Sequence, residues 1–176
     1  NTLISNGFLK SKIKKITKLQ LKKALNGGDI PELKEGEYIS QPTGKNSSPD
    51  FIVRYNGKLY FIECKSSNKT YPVYNGGLPG EEYIYIFTSK ETNETTIFYG
   101  KDVLKSEKRE LYSKLLVELN QILHKYQNMP KWEDKSRGFD YYIRNMYTQN
   151  GSAEKTNYFK HEGRLICEQN VLNSIR

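Results

Sequence analysis

Two carboxylates and a lysine are the residues of this sequence best suited to do chemistry. Twelve residues separate Asp50 from Glu63, and Lys65 follows two positions later. Between the acids lies Asn56-Gly57, flanked by the apolar runs 51–55 and 59–62. Asn-Gly is the strongest short-range signal for a two-residue hairpin loop, because a type I′ turn needs positive φ at both central positions. With that loop Tyr55 faces Lys58, and the same register sets Asp50 opposite Glu63 and Ser48 opposite Lys65. Residues directly opposed in an antiparallel pair hold their Cβ atoms about 4.5–5.5 Å apart, where like charges repel. Two acids so placed can share a proton for acid chemistry or clamp a divalent cation. An all-oxygen ligand set suits Mg²⁺ or Mn²⁺, which are commonly held by one or two carboxylates plus substrate phosphate oxygens. Lys65 shares a strand face with Glu63, because side chains alternate with period two. There it would orient or deprotonate an attacking water and offset negative charge developing on a phosphodiester. The plain alternative is a charged strand edge, against which stands the position of Glu63 at the end of an otherwise apolar strand.

The elements that must position these residues can be read along the chain. Residues 10–25 carry a near-helical apolar stripe, Ile13, Ile16, Leu19, Leu21 and Leu25, stopped by Asn26-Gly27-Gly28. Lysines, with a few threonine- and glutamine-type neighbours and no acid, fill most of the rest of that predicted helix. They read either as a solvated face or as phosphate anchors, Lys14 and Lys18 among them. Residues 37–41 read as a short strand before a Pro, Gly, Asn and Ser loop containing Lys45. Glu35 and Glu37 are candidate extra metal ligands or plain surface glutamates. The turn-rich segment 71–80, which includes Asn75, reads equally as an ordered functional loop or a flexible connection. Residues 83–87 and 95–99 read as two further strands, the first of them central. Residues 103–126 form the longest helical pattern, with Leu104, Leu111, Leu115, Leu119, Ile122, Leu123 and Tyr126 predicted to pack on the sheet. His124 within it reads as structural or exposed rather than as a ligand.

With 176 residues the chain predicts one domain around one core. A net charge of +8 favours a polyanionic partner, nucleic acid or an anionic surface. No apolar run is long enough for a membrane span, and no tripartite signal opens the chain. Two cysteines, Cys64 and Cys167, make neither a disulfide framework nor a zinc pattern, which reads as an intracellular protein. The opening at Asn1 without methionine reads as a processed chain or a piece of a longer one. Residues 131–176 interleave aromatics with Lys and Arg, as in surfaces that grip phosphates and stack on bases, and equally as in a small core with solvated lysines. Within that segment, Arg137 adds to the basic character. Arg144 and Arg164 are candidate guanine readers, and Asn145, Gln149 and Asn157 candidate adenine readers.

Pro49-Asp50, the twelve-residue spacer and Glu63-Cys64-Lys65 after an apolar strand together resemble the PD-(D/E)xK nuclease signature. Ser-Ser-Pro-Asp-Phe, Glu-Cys-Lys-Ser-Ser and the Asn-Gly-Gly-Leu-Pro loop are similar to type II restriction endonucleases. The resemblance covers mainly residues 41–87. It implies an α/β (α+β) fold with a restriction-endonuclease-like αβββαβ core, a mixed four- to five-stranded sheet flanked by helices. That core would span residues 1–130, with 131–176 an aromatic and basic C-terminal extension of the same domain for DNA contact or dimerisation. It further implies that Asp50 and Glu63 bind Mg²⁺, that Lys65 assists the water, and that a homodimer cuts double-stranded DNA in a bacterial or archaeal cytoplasm. The family's frequent extra acid on the first helix has no match here, so Glu35 or Glu37 would have to serve. A repair nuclease, junction resolvase or nickase shares the same chemistry, and a catalytically inactive DNA-binding module is the alternative from another class.

Overall fold

The computed structural model describes residues 6–132, 137–143, 146–147, 149 and 156–176. Six strands form one mixed sheet whose spatial order follows the chain: β1 (Leu9–Lys10), β2 (Glu37–Ser40), β3 (Phe51–Tyr55), β4 (Lys58–Ser67), β5 (Tyr83–Ser89) and β6 (Glu94–Tyr99). The β1–β2 and β4–β5 pairs are parallel and the other three antiparallel. Among the described residues four helices flank it: α1 (Lys18–Leu25), α2 (Gly100–Val103), α3 (Ser106–Gln127) and α4 (Arg164–Ile175). The architecture is therefore mixed α/β, with more strands than the four to five expected.

The additional strand comes from the segment predicted to open a long first helix. Leu9 and Lys10 instead pair with Glu37 and Tyr38, and the Ser11 and Ile16 amides donate to the carbonyls of Tyr38 and Pro42. These bonds hold residues 9–16 extended, and the helix starts only where Thr17 can cap it. Thr17 accepts from the Gln20 amide at 3.1 Å while Gln20 Oε1 accepts from the Thr17 amide at 2.8 Å. This is a capping box, and buried Ile16 and Leu21 flank it in the positions of a hydrophobic staple.

The core covers both faces of the sheet. On one, Ile39, Ile52, Phe61, Tyr85, Phe87 and Phe98 pack against α1, Tyr74 and Phe159. On the other, Tyr38, Val53, Tyr60 and Ile84 pack against Val171 of α4. Tyr60 Oη donates to the Ser174 carbonyl at 2.9 Å, and Thr96 Oγ1 donates to Glu168 at 2.7 Å. The C-terminal helix thus belongs to the core.

Helix α3 departs from expectation. None of its residues is buried. Arg109, Tyr112, Leu116, Leu123 and Gln127 are half-buried toward the body, where Tyr112 meets Tyr147 at 5.4 Å between ring centroids. The predicted sheet-packing residues Leu111, Leu115, Leu119, Ile122 and Tyr126 lie exposed on an adjoining face. Periodicity marked an amphipathic helix correctly, but it carries no information on what covers the apolar face. No helix among the described residues is long and apolar enough to cross a membrane.

Candidate active site

The hairpin forms in the predicted register. Asn56 and Gly57 have φ of 51° and 71°, and Tyr55 pairs with Lys58. The ladder runs back to Phe51 opposite Ile62 and stops there. Asp50 therefore does not face Glu63 as a strand pair, nor Ser48 Lys65. The chain leaves β4 at the buried Pro49, which has no amide to donate, and the Asp50 carbonyl instead accepts from the Gln41 amide at 2.6 Å. Asp50 Oδ2 turns onto the main chain of β4, accepting from the Cys64 amide at 2.8 Å. The two acids still converge on one short length of β4, one through its side-chain contact and the other through its position.

Glu63 is 5% exposed. Its Oε1 accepts from Lys65 Nζ at 2.7 Å, so the predicted sharing of a face is realised as an ion pair. Its Oε2 is buried with no hydrogen-bond partner. A buried carboxylate oxygen without a donor costs free energy, so the arrangement suits a ligand that supplies positive charge. The Cys64 thiol, between Glu63 and Lys65 in sequence, reports the local field. Partial burial first, then the negative charges of Asp50 and Glu63, push it up to about 11.

Strand β5 supplies the floor. In the parallel register Glu63 lies beside Tyr85 and Phe61 beside Tyr83. Burial, and next the Glu63 charge, push the Tyr83 hydroxyl up to about 12. Tyr85 Oη accepts from the Gly80 amide at 3.0 Å, and Arg109 donates to the Pro79 carbonyl at 2.6 Å while pairing with Glu81 at 3.0 Å. These contacts make the turn-rich 76–80 segment an ordered wall. A cleft of about 400 Å³ opens between it and Asn46, Ser47 and Ser48, with Lys65 and Tyr83 in its lining. The sequence reading missed Tyr83, Tyr85 and Arg109 as site-shaping residues. The alternation of Tyr83 and Tyr85 along their strand was the available signal, since it sets both on one face.

The extra acids do not join the site. Glu35 accepts from the Asn56 amide at 2.6 Å and the Gly57 amide at 3.1 Å, which binds it to the hairpin tip, the opposite end of β3 from Asp50. Glu37 closes a local turn by accepting from the Lys34 amide at 3.1 Å. Among the described residues no group of three or more His, Cys, Asp or Glu could hold a metal ion. Two carboxylates nonetheless fit Mg²⁺, which keeps waters and takes further oxygens from a phosphate. The open oxygen of Glu63 is the observation that agrees with it.

Of the proposed DNA-contacting residues, Lys14, Lys18, Lys45, Asn75 and Arg137 are exposed. Lys45 and Asn75 lie on the loops around the cleft. Gln149 donates to the Pro72 carbonyl at 2.9 Å. Arg164 is committed to Glu168 at 2.8 Å and Glu94 at 3.3 Å, an assignment that ties α4 to β6. Asn157 uses its side chain to accept from the Phe159 and Lys160 amides. Arg144 and Asn145 lie outside the described residues. His124 is exposed, as expected.

No protein-family model matches this chain, and no curated protein or solved structure matches it either.

Proposed function

We propose that this chain is a Mg²⁺-dependent endonuclease that hydrolyses phosphodiester bonds of double-stranded DNA at specific sites, a type II restriction enzyme of PD-(D/E)xK type. The observation that carries the reading is the buried, unpartnered Oε2 of Glu63, with Lys65 on the other oxygen and Asp50 on the next amide of the strand. Asp50 and Glu63 are the residues that would hold the cation, Mn²⁺ substituting for Mg²⁺. When bound, it polarises the phosphodiester and lowers the pKa of a water. Lys65, a quarter exposed toward the cleft, orients that water and offsets the charge that builds up on the phosphorane oxygens. Water oxygen bonds to phosphorus, one ester P–O bond breaks, and the leaving oxygen takes up a proton. The net charge of +8 supports a long polyanion as substrate rather than a small anion. A homodimer in a prokaryotic cytoplasm is the setting this reading expects.

The test is incubation of the purified protein with plasmid and phage DNA, with Mg²⁺ or with EDTA. Discrete Mg²⁺-dependent fragments are expected. Relaxed circles would indicate a nickase, smears a nonspecific nuclease, and retarded but intact DNA a binding module. Asp50→Asn and Glu63→Gln should each abolish cleavage while DNA binding stays measurable. Lys65→Ala should lose cleavage and keep cation binding. Undiminished cleavage by both acid variants would sink the assignment.

A further inference from the structure

Helix α3 presents five large apolar side chains to solvent, Leu111, Leu115, Leu119, Ile122 and Tyr126, between 41% and 65% exposed. Their spacing of three and four residues places them on one face, next to the face turned toward the body. A helix of 22 residues is about 33 Å long, so the stripe is an extended band rather than a scatter of single residues. The flank of the stripe away from the body carries Glu107, Lys114, Glu118 and Lys125, all exposed. None of the four forms an ion pair among the described residues.

The order of these charges identifies the partner. Acid, base, acid, base alternate along the flank, and Glu107 with Lys125, and Lys114 with Glu118, lie symmetrically about Leu116. When two copies of a helix pack antiparallel about a dyad, each flank meets its own counterpart with the direction reversed. Every charge of the row then faces its opposite: Glu107 meets the second copy's Lys125, and Lys114 its Glu118. A parallel pair would set this row against the body-facing flank instead and leave it unmatched. We infer that α3 is the interface of a homodimer in which two copies of this chain pack antiparallel through the 111–126 stripe, flanked by a self-complementary row of four ion pairs. Pairing the stripe with itself removes five large apolar side chains per copy from water, the main driving force, while the charge row selects direction and register. This inference stands on the helix alone and is independent of the phosphodiesterase reading.

Sedimentation velocity of the full chain is the direct test, with wild type expected to be dimeric at micromolar concentration. Leu115→Lys with Ile122→Lys should give a monomer with an unchanged far-ultraviolet circular dichroism spectrum and a melt that no longer depends on protein concentration, since neither side chain is buried within one copy. Glu107→Lys and Lys125→Glu each turn two symmetry-related attractions into repulsions and should weaken dimerisation roughly tenfold. These positions are too far apart along one helix to touch within a chain. Mixing the two single variants matches every charge again between unlike copies, so heterodimers should form where each variant alone is largely monomeric. A monomeric wild type at 100 μM (about the upper end of such a titration), or a dimer unmoved by the stripe variants, overturns the proposal. Failure of the mixture to associate overturns the antiparallel register. DNA cleavage measured on the same samples reads the active-site proposal separately.

Discussion

The two ends of the β3–β4 hairpin each hold a glutamate, and the two are treated in opposite ways. At the tip, Glu35 sits at the surface with both oxygens satisfied by the turn amides. At the open end, Glu63 is buried and keeps one oxygen without a donor. Arg54, near the tip, is likewise engaged, with Asp29 and the carbonyls of Ile30 and Leu33. A carboxylate that serves stability is expected to have its lone pairs occupied, because each hydrogen bond to a charged group contributes about 1.5–3 kcal/mol and each unmade one costs. The tip is built as a clamp. The open end holds a buried charge with one oxygen left open.

Exchange of function between the ends is the largest effect to look for. Glu63→Gln should abolish cleavage, a fall of at least on the order of a thousandfold, while unfolding free energy changes little, because the variant sheds the desolvation cost of a buried carboxylate along with its ion pair to Lys65. Lys65, left without its partner, is a quarter exposed and can still reach water. Glu35→Gln should do the reverse, keeping cleavage and losing stability. Equal losses of activity from both variants, measured on folded protein, would erase the distinction.

Next in size is a response at Cys64 that needs no activity. At pH 8 a thiol of pKa about 11 is ionised to roughly one part in a thousand, and alkylation is slow. If Asp50 and Glu63 hold a cation, saturating Ca²⁺ or Mg²⁺ would remove the electrostatic share of that upward push and leave the share due to burial. Alkylation of Cys64, followed in a Cys167→Ser background, should accelerate severalfold with cation in wild type and not in Asp50→Asn with Glu63→Gln. A rate indifferent to cation in wild type would count against the two acids as its ligands.

Glu35→Ala should cost about 1–3 kcal/mol in denaturant unfolding, since it strips two amides of a charged acceptor. Their exposure to water favours the lower end of that range.

How legible these two ends were follows from the range of the interactions that make them. The tip depends on two adjacent residues and a φ requirement, so Asn56-Gly57 alone specified it. The face shared by Glu63 and Lys65 depends on strand alternation and was equally plain. The turning of Asp50 onto the Cys64 amide depends on where the chain leaves the ladder at Pro49, and a register extrapolated past Phe51 missed it. Tyr85 beside Glu63 requires parallel pairing across the loop after Ser67, a long-range contact that carries no local mark. The β1 pairing failed to show for the same reason, because two residues bind a strand far along the chain. For α3 the apolar pattern was read correctly and its partner wrongly.

The smallest effect concerns the tip in acid. The Arg54 guanidinium, then a hydrogen bond from the Ile30 amide, holds the exposed Asp29 carboxyl below its ordinary value. The folded chain therefore binds fewer protons at this site than the unfolded chain when the pH approaches the ordinary aspartate value. Its contribution is present above the unfolded pKa and is lost as pH falls through the lower folded one. Between neutral pH and about 5 the Asp29→Asn variant and wild type should differ by a constant, small amount, and that difference should shrink as acid is added below that range. Solvent screens this pair, so the expected change is a slight narrowing of the gap between two denaturation midpoints. A gap that widened in acid would mean that Asp29 is not held ionised by Arg54. The tip would then owe its order to Glu35 and the Asn-Gly turn alone.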